Sequence, residues 1–170
     1  MILSDRDIRK CLRGGTIRID PAPSSDQIGA CSVDLTLSNE FWRFRKKVKK
    51  IDLAAAKHED VLEEVRADSI TLKPGEMILG KTLERITLPA DMCGRLDGRS
   101  RYARFGIAIH VSSSVVQAGS DNRQVLEIVN LSPAAITLHA GLRMCQVLFM
   151  RISSPAEKPY AKFGKIARKQ

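Results

Sequence analysis

From residue 69 onward, short aliphatic runs alternate with turn signals, and this spacing restricts the possible fold more than any other feature. Ile70-Thr71-Leu72-Lys73-Pro74-Gly75 is a strand-like run followed by Pro-Gly, a pair favoured at the centre of a type II turn. A strand from Met77 to Leu83 is expected to follow it. Such runs, repeated about every eight to twelve residues, are typical of a β-sandwich or barrel. We therefore predict a mainly β protein with a few short helices.

A second segment repeats this pattern. Ile136-Thr137-Leu138-His139-Ala140-Gly141 begins 66 residues after Ile70, and the two units share six of seventeen positions, including a final Arg-Ile. Two interpretations remain open. The hairpins either occupy equivalent positions in opposing sheets or share only the same turn chemistry.

The first 68 residues carry three weaker signals. Ser4-Asp5-Arg6-Asp7 is a capping-box pattern that predicts a helix through Leu12, ended by Gly14-Gly15. Ser32–Leu37 and Glu40–Phe44 alternate as two strands. Asp52–Asp68 is polar and rich in Ala, Glu and Lys, so it is expected to be helical or a loose insertion.

The size and hydropathy of the chain exclude several classes of protein. Its 170 residues suit one domain, predicted over 1–170, and 44% of them are hydrophobic, enough to form a core. No apolar run approaches the ~20 residues that span a bilayer. Met1–Asp7 carries acids instead of the apolar stretch of a secretory signal. A cytoplasmic protein that does not bind membranes is expected.

Cysteine and histidine spacing gives no sign of a metal site. The four cysteines lie at positions 11, 31, 93 and 145 without a CxxC pair, and the three histidines have no metal-ligand spacing to them. In a reducing compartment we expect four free, mostly buried thiols. No protein-bound metal is predicted.

The charge is strongly basic, with 28 Lys and Arg against 19 Asp and Glu, a net charge of +9. A basic surface attracts phosphates, on a nucleotide or on nucleic acid, but it can also be merely solvated. Arg43–Lys50 reads RFRKKVKK, and we interpret Lys46–Lys50 as a solvated face. The chain lacks an RNP-like aromatic stripe, a helix-turn-helix and zinc-finger spacing, so no specific nucleic-acid partner is predicted.

One short helix is expected inside the β region, between Gly98 and Gly106 in GRSRYARFG. Gly106 suits the position just after the helix end. The free N–H groups at the helix start, flanked by arginines, suggest an anion site for phosphates. The alternative is a surface turn with solvated arginines.

A single charge interrupts the apolar strand Arg123–Val129. With a period of two, Val125, Glu127 and Val129 share one face, and both faces of this strand are expected to be buried. Glu127 then either forms a structural ion pair with an arginine or lies in a pocket as a general acid/base.

Several ordered motifs resemble those of one enzyme family. Gly94–Gly106, GRLDGRSRYARFG, is similar to the GWLDGRSSLARLG segment of dCTP deaminases in the dUTPase-like superfamily. Four further segments resemble the family at matching spacing: Met1–Leu12, Gly29–Leu35, Thr87–Asp91 and Ser153–Tyr160.

The resemblance implies a distorted jelly-roll or β-sandwich of the dUTPase-like (β-clip) type, assembled as a homotrimer with nucleotide sites between subunits. It implies hydrolysis of dCTP to dUTP and ammonia without zinc, which supplies dUTP for thymidylate synthesis. Magnesium would accompany the triphosphate without being held by protein side chains, and dTTP is a candidate inhibitor.

Carried over by position, the resemblance assigns catalytic roles to Glu127, as general acid/base, and to Ser100 and Arg104. Ser100 would orient the water and Arg104 would stabilise charge near the glutamate. The implied nucleotide-binding residues are Arg99, Ser100, Arg101, Arg104, Gln117, Val125, Leu126 and Tyr160.

The sequence departs from the family pattern at three places. Gln117 replaces an aspartate that contacts the sugar 3′-hydroxyl, and Arg101 replaces a serine. The chain stops at Lys169-Gln170, where a lid over the triphosphate is expected to be truncated. The alternatives are therefore a dUTPase or bifunctional deaminase–dUTPase, against which Gln117 argues, and a non-catalytic nucleotide-binding module.

Overall fold

The protein is described here by a computed structural model that covers residues 1–110 and 112–163; the predicted lid at Lys169-Gln170 lies outside them. The described part contains eleven strands: β1 (Arg18–Asp20), β2 (Val33–Phe44), β3 (Leu62–Arg66), β4 (Ser69–Leu72), β5 (Met77–Thr87), β6 (Met92–Gly98), β7 (Ile107–Ile109), β8 (Val115–Val116), β9 (Asp121–Asn130), β10 (Ile136–His139) and β11 (Arg143–Arg151). The helices are α1 (Asp5–Arg13), α2 (His58–Val61), α3 (Ser100–Ala103) and α4 (Tyr160–Phe163), with a 3₁₀ turn at Ser25–Gln27. The prediction of a mainly β fold with short helices is confirmed.

Nine strands form one curled antiparallel sheet in the order β7-β9-β5-β2-β11-β6-β8, with β1 also paired to β5 and β3 to β2. The central strand β2 makes this curl possible. Its first half pairs with β11, its second half pairs with β5, and the register with β5 shifts between Leu37 and Phe41. Such an irregularity bends a strand and lets one sheet close over its own core.

The two repeated segments lie side by side. β4 and β10 pair with each other, and the hydroxyl oxygens of Thr71 and Thr137 are 2.9 Å apart. The strands that follow them, β5 and β11, flank β2 on opposite sides. The strands that follow the two repeats thus occupy equivalent positions on either side of β2. The repeated strands β4 and β10 themselves pair in one two-stranded sheet instead of lying in opposing sheets.

The predicted type II turn is present after β4. Gly75 has φ +75°, and the Glu76 N–H donates to the Lys73 carbonyl over 3.0 Å. A positive φ at the third turn residue favours glycine, since it has no Cβ to clash with the backbone. This local signal was sufficient to place the turn correctly.

The N-terminal predictions are confirmed in part. Helix α1 begins after Ser4, whose Oγ accepts from the Asp7 N–H, and it ends at Gly14. Ser32–Leu37 and Glu40–Phe44, predicted as two strands, belong to the single strand β2. The prediction for Asp52–Asp68 is wrong in its second half, which forms β3 because it pairs with the end of β2.

The core is mostly aliphatic, since Phe, Trp and Tyr make up only 5% of the chain. Its largest fully buried side chains include Phe41, Phe149, Ile8, Leu35, Leu72 and Leu126. All four cysteines are free: Cys11 and Cys145 are buried, Cys93 is half-buried and Cys31 is exposed. Burial raises the pKa of the Cys145 thiol well above its usual range. In the described residues no helix is both long and apolar enough to cross a membrane.

Candidate active site

Glu127 lies on the open face of the sheet. Leu126 and Ile128 are fully buried in the core, whereas Val125, Glu127 and Val129 on the opposite face are half-buried. The expectation that both faces of β9 are buried is therefore wrong. Only one face meets the core, because no second layer of the described chain covers the other.

Cross-strand register places Glu127 at the end of a row on that face. Leu79 pairs with Glu127, Trp42 pairs with Leu79, and Glu64 pairs with Trp42. Residues that are directly opposite on adjacent strands project to the same side. The carboxylate thus adjoins an apolar floor that is built from two strands distant in sequence.

We name the resulting depression of about 690 Å³ the Glu127 cleft. Its volume lies in the range of sites for small organic ligands. An apolar floor and a charged rim with both signs of charge make up its surface. The lining residues are Trp42, Arg45, His58, Glu59, Leu62, Glu64, Met77, Leu79, Ser113, Val125 and Glu127.

The Glu127 carboxylate is oriented by a neighbouring serine. Oε2 accepts from the Ser112 N–H over 3.1 Å and from the Ser112 hydroxyl over 3.0 Å. The backbone carbonyl of Glu127 accepts from the His110 N–H over 3.0 Å. Within 1–110 and 112–163, no ion pair involves Glu127 and no hydrogen bond reaches Oε1. The structural ion pair that we considered for Glu127 is therefore not formed here.

A smaller, more polar pocket of about 270 Å³ adjoins the cleft and shares Ser113 and Val125 with it. Gln117 and Tyr160, both predicted from the sequence, line this pocket. Leu126 does not, since its side chain lies in the core. The structure thus brings Glu127, Val125, Gln117 and Tyr160 into one continuous region.

A tight turn holds Gln117 at the pocket. Its carbonyl accepts from the Ser120 N–H over 3.1 Å, and Gly119 has φ +76°. A Cβ on Gly119 would lie 2.5 Å from the Pro159 Cβ, so glycine is required for space as well as for conformation. The Tyr160 N–H donates to the Ala118 carbonyl over 2.9 Å, which fixes α4 against this turn.

His110 lines the smaller pocket, although no sequence motif indicated it. It has φ +56°, and among the described residues neither ring nitrogen has a hydrogen-bond partner. Burial lowers the pKa of its imidazole, against the opposing effect of Glu127. Trp42 was also missed because its position depends on strand register, and Ser112 and Ser113 were missed because they lie in the connection between β7 and β8.

Residues 99–104, which we name the arginine segment, lie at the start of α3 and along it. Arg99 is the N-cap residue, and its Nη2 is 3.0 Å from the Asp34 Oδ2. Arg101 lies over the Tyr102 ring, 5.9 Å from its centroid. Ser100, Arg101 and Arg104 are exposed, so three of the four predicted nucleotide-binding side chains in this segment face solvent.

The structure does not bring the arginine segment to Glu127 within one chain. Among the described residues, the Glu127 cleft and the adjoining pocket are lined by none of Arg99, Ser100, Arg101 and Arg104. The predicted site residues therefore fall into two groups. One surrounds Glu127, and the other is on α3.

Two further predictions concern the basic run that follows β2 and the absence of a protein-bound metal. Lys46, Lys47, Lys49 and Lys50 are exposed, as predicted for a solvated face. No cluster of three or more His, Cys, Asp or Glu side chains in the described part of the chain could hold a metal ion.

Comparison with known proteins yields one family. A family model for dCTP deaminase-like proteins matches residues 2–152. A Rhodospirillum rubrum protein named dCTP deaminase is 42% identical over 171 residues, which cover 95% of this chain and 88% of that protein. A Dictyoglomus thermophilum protein named dCTP deaminase, dUMP-forming, is 39% identical over 167 residues, covering 95% and 86%.

Solved structures show the same fold. The 2′-deoxycytidine 5′-triphosphate deaminase of Agrobacterium tumefaciens is 26% identical with a TM-score of 0.68; the match covers 89% of this chain, which spans about half (49%) of that protein. A dUTPase of Staphylococcus bacteriophage 80alpha, with dUpNHpp, has a TM-score of 0.57 at 14% identity, covering 88% and 99%. The expectation of a dUTPase-like fold is confirmed.

Proposed function

Because the chain belongs to the dCTP deaminase-like family, we propose that it is an enzyme that hydrolyses dCTP to dUTP and ammonia, with Glu127 as general acid and base. The observation that carries this proposal is the position of Glu127. Its carboxylate stands in a cleft of nucleotide size and is held at Oε2 by Ser112, while no residue among 1–110 and 112–163 hydrogen-bonds to Oε1, where a water molecule would bind.

The chemistry needs a group that accepts a proton and returns it. Glu127 takes a proton from water as the water oxygen forms a bond to C4 of cytosine. The electron pair of the C4=N3 bond moves to N3, which takes that proton from Glu127. Glu127 then carries the hydroxyl proton of the adduct to the 4-amino group, the C4=O bond forms, the C4–N bond breaks, and ammonia leaves. The two protons of water thus end on N3 and on ammonia, so the proton balance closes without a second acid.

Two exposed residues of the arginine segment complete this proposal. Ser100 orients the water, and Arg104 stabilises the charge that develops beside Glu127. Since they lie outside the Glu127 cleft of their own chain, they act in the cleft of a neighbouring subunit. A homotrimer with sites between subunits, which the family resemblance implies, supplies that arrangement.

The nucleotide would bridge the two groups. Arg99, Ser100, Arg101 and Arg104 would hold the phosphates, and backbone groups at Val125 and Leu126 would read the base. Gln117 and Tyr160, in the adjoining pocket, would contact the sugar. Magnesium would enter with the triphosphate, and no zinc would be needed, since the sequence lacks the H-x-E and P-C-x-x-C signature of zinc deaminases.

The two candidate enzymes differ in their product, which is dUTP for a deaminase and dUMP for a bifunctional deaminase–dUTPase. Release of dUTP in the cytoplasm would supply thymidylate synthesis, and dTTP would be the natural feedback inhibitor. Several relatives are named dUMP-forming, so a bifunctional deaminase–dUTPase is the second candidate. Gln117 favours the first, because a neutral amide activates water at a phosphate less well than a carboxylate does.

One experiment separates these functions. The protein is incubated with dCTP and, separately, with dUTP, and ammonia and pyrophosphate are measured in each reaction. Ammonia without pyrophosphate from dCTP supports the deaminase. Ammonia and pyrophosphate together from dCTP support the bifunctional enzyme, and pyrophosphate from dUTP without ammonia from dCTP supports a dUTPase. If neither product forms, the protein is a nucleotide-binding module without turnover.

A further inference from the structure

The Arg99 side chain is anchored at both ends of its guanidinium. Nη2 lies 3.0 Å from the Asp34 Oδ2, and Nη1 donates to the Arg143 carbonyl over 3.1 Å. A guanidinium is planar, so two such contacts fix its position and its plane. In the described part of the chain no residue accepts from its Nε–H or its remaining Nη hydrogens, which can therefore bind an anion.

The sheet explains how residues so distant in sequence meet. Strands β2, β11 and β6 are neighbours, and Arg99 follows directly after β6. Its side chain therefore crosses β11 to reach Asp34 on β2. The Arg99 N–H also donates to the Met144 carbonyl of β11 over 3.3 Å. Arg99 is held to β11 by backbone contacts, whereas its only charged partner among the described residues is Asp34.

The Asp34 carboxylate is well placed for this contact. Its side chain is 13% exposed, against 30% for Arg99, so solvent screens the pair less than it screens a surface salt bridge. Arg143, which flanks the pair, is itself neutralised by Asp26 over 2.7 Å. Arg143 is therefore less available to Asp34, and Arg99 remains the principal cation that Asp34 can hold.

We propose that Asp34 is a positioning residue that orients the Arg99 guanidinium for the phosphates of the nucleotide. It touches no substrate and acts only through Arg99. This inference rests on the proposed function, in which Arg99 binds phosphate. It adds a specific requirement: the negative charge of Asp34, and not only its size, is needed for phosphate binding.

The test is a double-mutant cycle with Asp34→Asn and Arg99→Ala. KM and kcat are measured for dCTP, together with the inhibition constant of inorganic tripolyphosphate, which probes the phosphate subsite alone. Asp34→Asn is expected to raise KM and the tripolyphosphate constant by a similar factor, about tenfold. We expect kcat to stay within about twofold of wild type, and the double variant to be no worse than Arg99→Ala alone.

A matched control lies on the same strand. Glu40 on β2 is 17% exposed and paired with Arg123, and Glu40→Gln should leave KM for dCTP unchanged. Should Asp34→Asn not fold, Asp34→Glu keeps the charge but displaces the guanidinium, and a smaller rise in KM is expected.

Three results would overturn the proposal: an unchanged KM in Asp34→Asn, additive effects in the double variant, or a loss of kcat with tripolyphosphate inhibition intact. A wild-type protein that releases no ammonia from dCTP refutes the proposed function instead. In that case the dissociation constant of tripolyphosphate is measured directly in place of the inhibition constant. The same double-mutant cycle then still decides whether Asp34 acts through Arg99.

Discussion

The Glu127 cleft and the arginine segment differ in how complete each is within one chain. The cleft has a floor supplied by strands of one sheet, a rim to which α2 contributes, and a carboxylate oriented by Ser112. The arginine segment has cations anchored from behind at Arg99 but exposed in front at Arg104. Among the described residues, no arginine of the same chain's α3 lines the Glu127 cleft, and the Arg104 side chain of the arginine segment is exposed to solvent. This complementarity is what two halves of a shared site require.

The largest expected effect is the loss of the base. Glu127→Gln keeps the size of the side chain and its contact with Ser112 but cannot accept a proton. Ammonia release should fall by about 10²–10⁴-fold, with nucleotide affinity retained. The matched control is Asp121→Asn on the same face of β9, outside both pockets. A Gln variant that retains even a third of the wild-type rate would make Glu127 structural.

The second prediction tests whether the two regions meet across subunits. Glu127→Gln and Arg104→Ala should each be nearly inactive alone. Co-expressed in equal amounts, they should recover roughly a quarter of wild-type activity, since one site in four then pairs an intact cleft with an intact arginine segment. Co-expression of Glu127→Gln with Glu127→Ala is the control and should recover nothing. If the first mixture also stays inactive, both regions serve the same chain.

The third prediction concerns the pocket beside the cleft. A carboxylate that accepts from a sugar hydroxyl gives a stronger bond than an amide, by about 1 kcal/mol. Gln117→Asp should therefore raise kcat/KM for dCTP several-fold, because the turn at Gly119 already holds residue 117 at the pocket. Gln117→Asn is the control, because the Asn side chain has the length of Asp but carries no charge. An equal or lower value for the Asp variant would show that the sugar binds elsewhere.

The smallest expected effect concerns another ion pair on β2, between Glu40 and Arg123. Arg123 donates to Glu40 over 2.5 Å and holds the pKa of that carboxyl below its usual range. Such a group stabilises the fold above its unfolded pKa of about 4.3, and this contribution is lost as the pH falls through the folded value.

Glu40→Gln should consequently lower Tm by no more than about 2–4 °C at pH 7. The difference from wild type should shrink as the pH is lowered below about 4. Thermal melts at pH 7, 5 and 3 measure this, with Glu63→Gln on β3 as a control for charge. A difference that is the same at all three values would assign the effect to packing instead of charge.

Local chemistry in the sequence determined the features that depend on a few adjacent residues. The Ser4 cap, the Pro74-Gly75 turn and the short helix before Gly106 follow from side-chain hydrogen bonding and backbone sterics, so they could be predicted without knowledge of the fold. Period-two alternation likewise identified Glu127 as the unusual residue of β9. The motif resemblance predicted the family, which the comparisons confirm.

Only the tertiary structure decided which residues meet. β3 forms because β2 offers it a pairing partner, and the face beside Glu127 is open because no layer of the residues that the structure describes covers it. Trp42 reaches the cleft through strand register, and Asp34 reaches Arg99 across an intervening strand. These contacts join residues far apart along the chain, and strand pairing is set by burial and register over the whole sheet. The residues next to Arg99 in the sequence do not indicate which strand it reaches. The sequence therefore predicted a role for Arg99 but not its ion pair with Asp34.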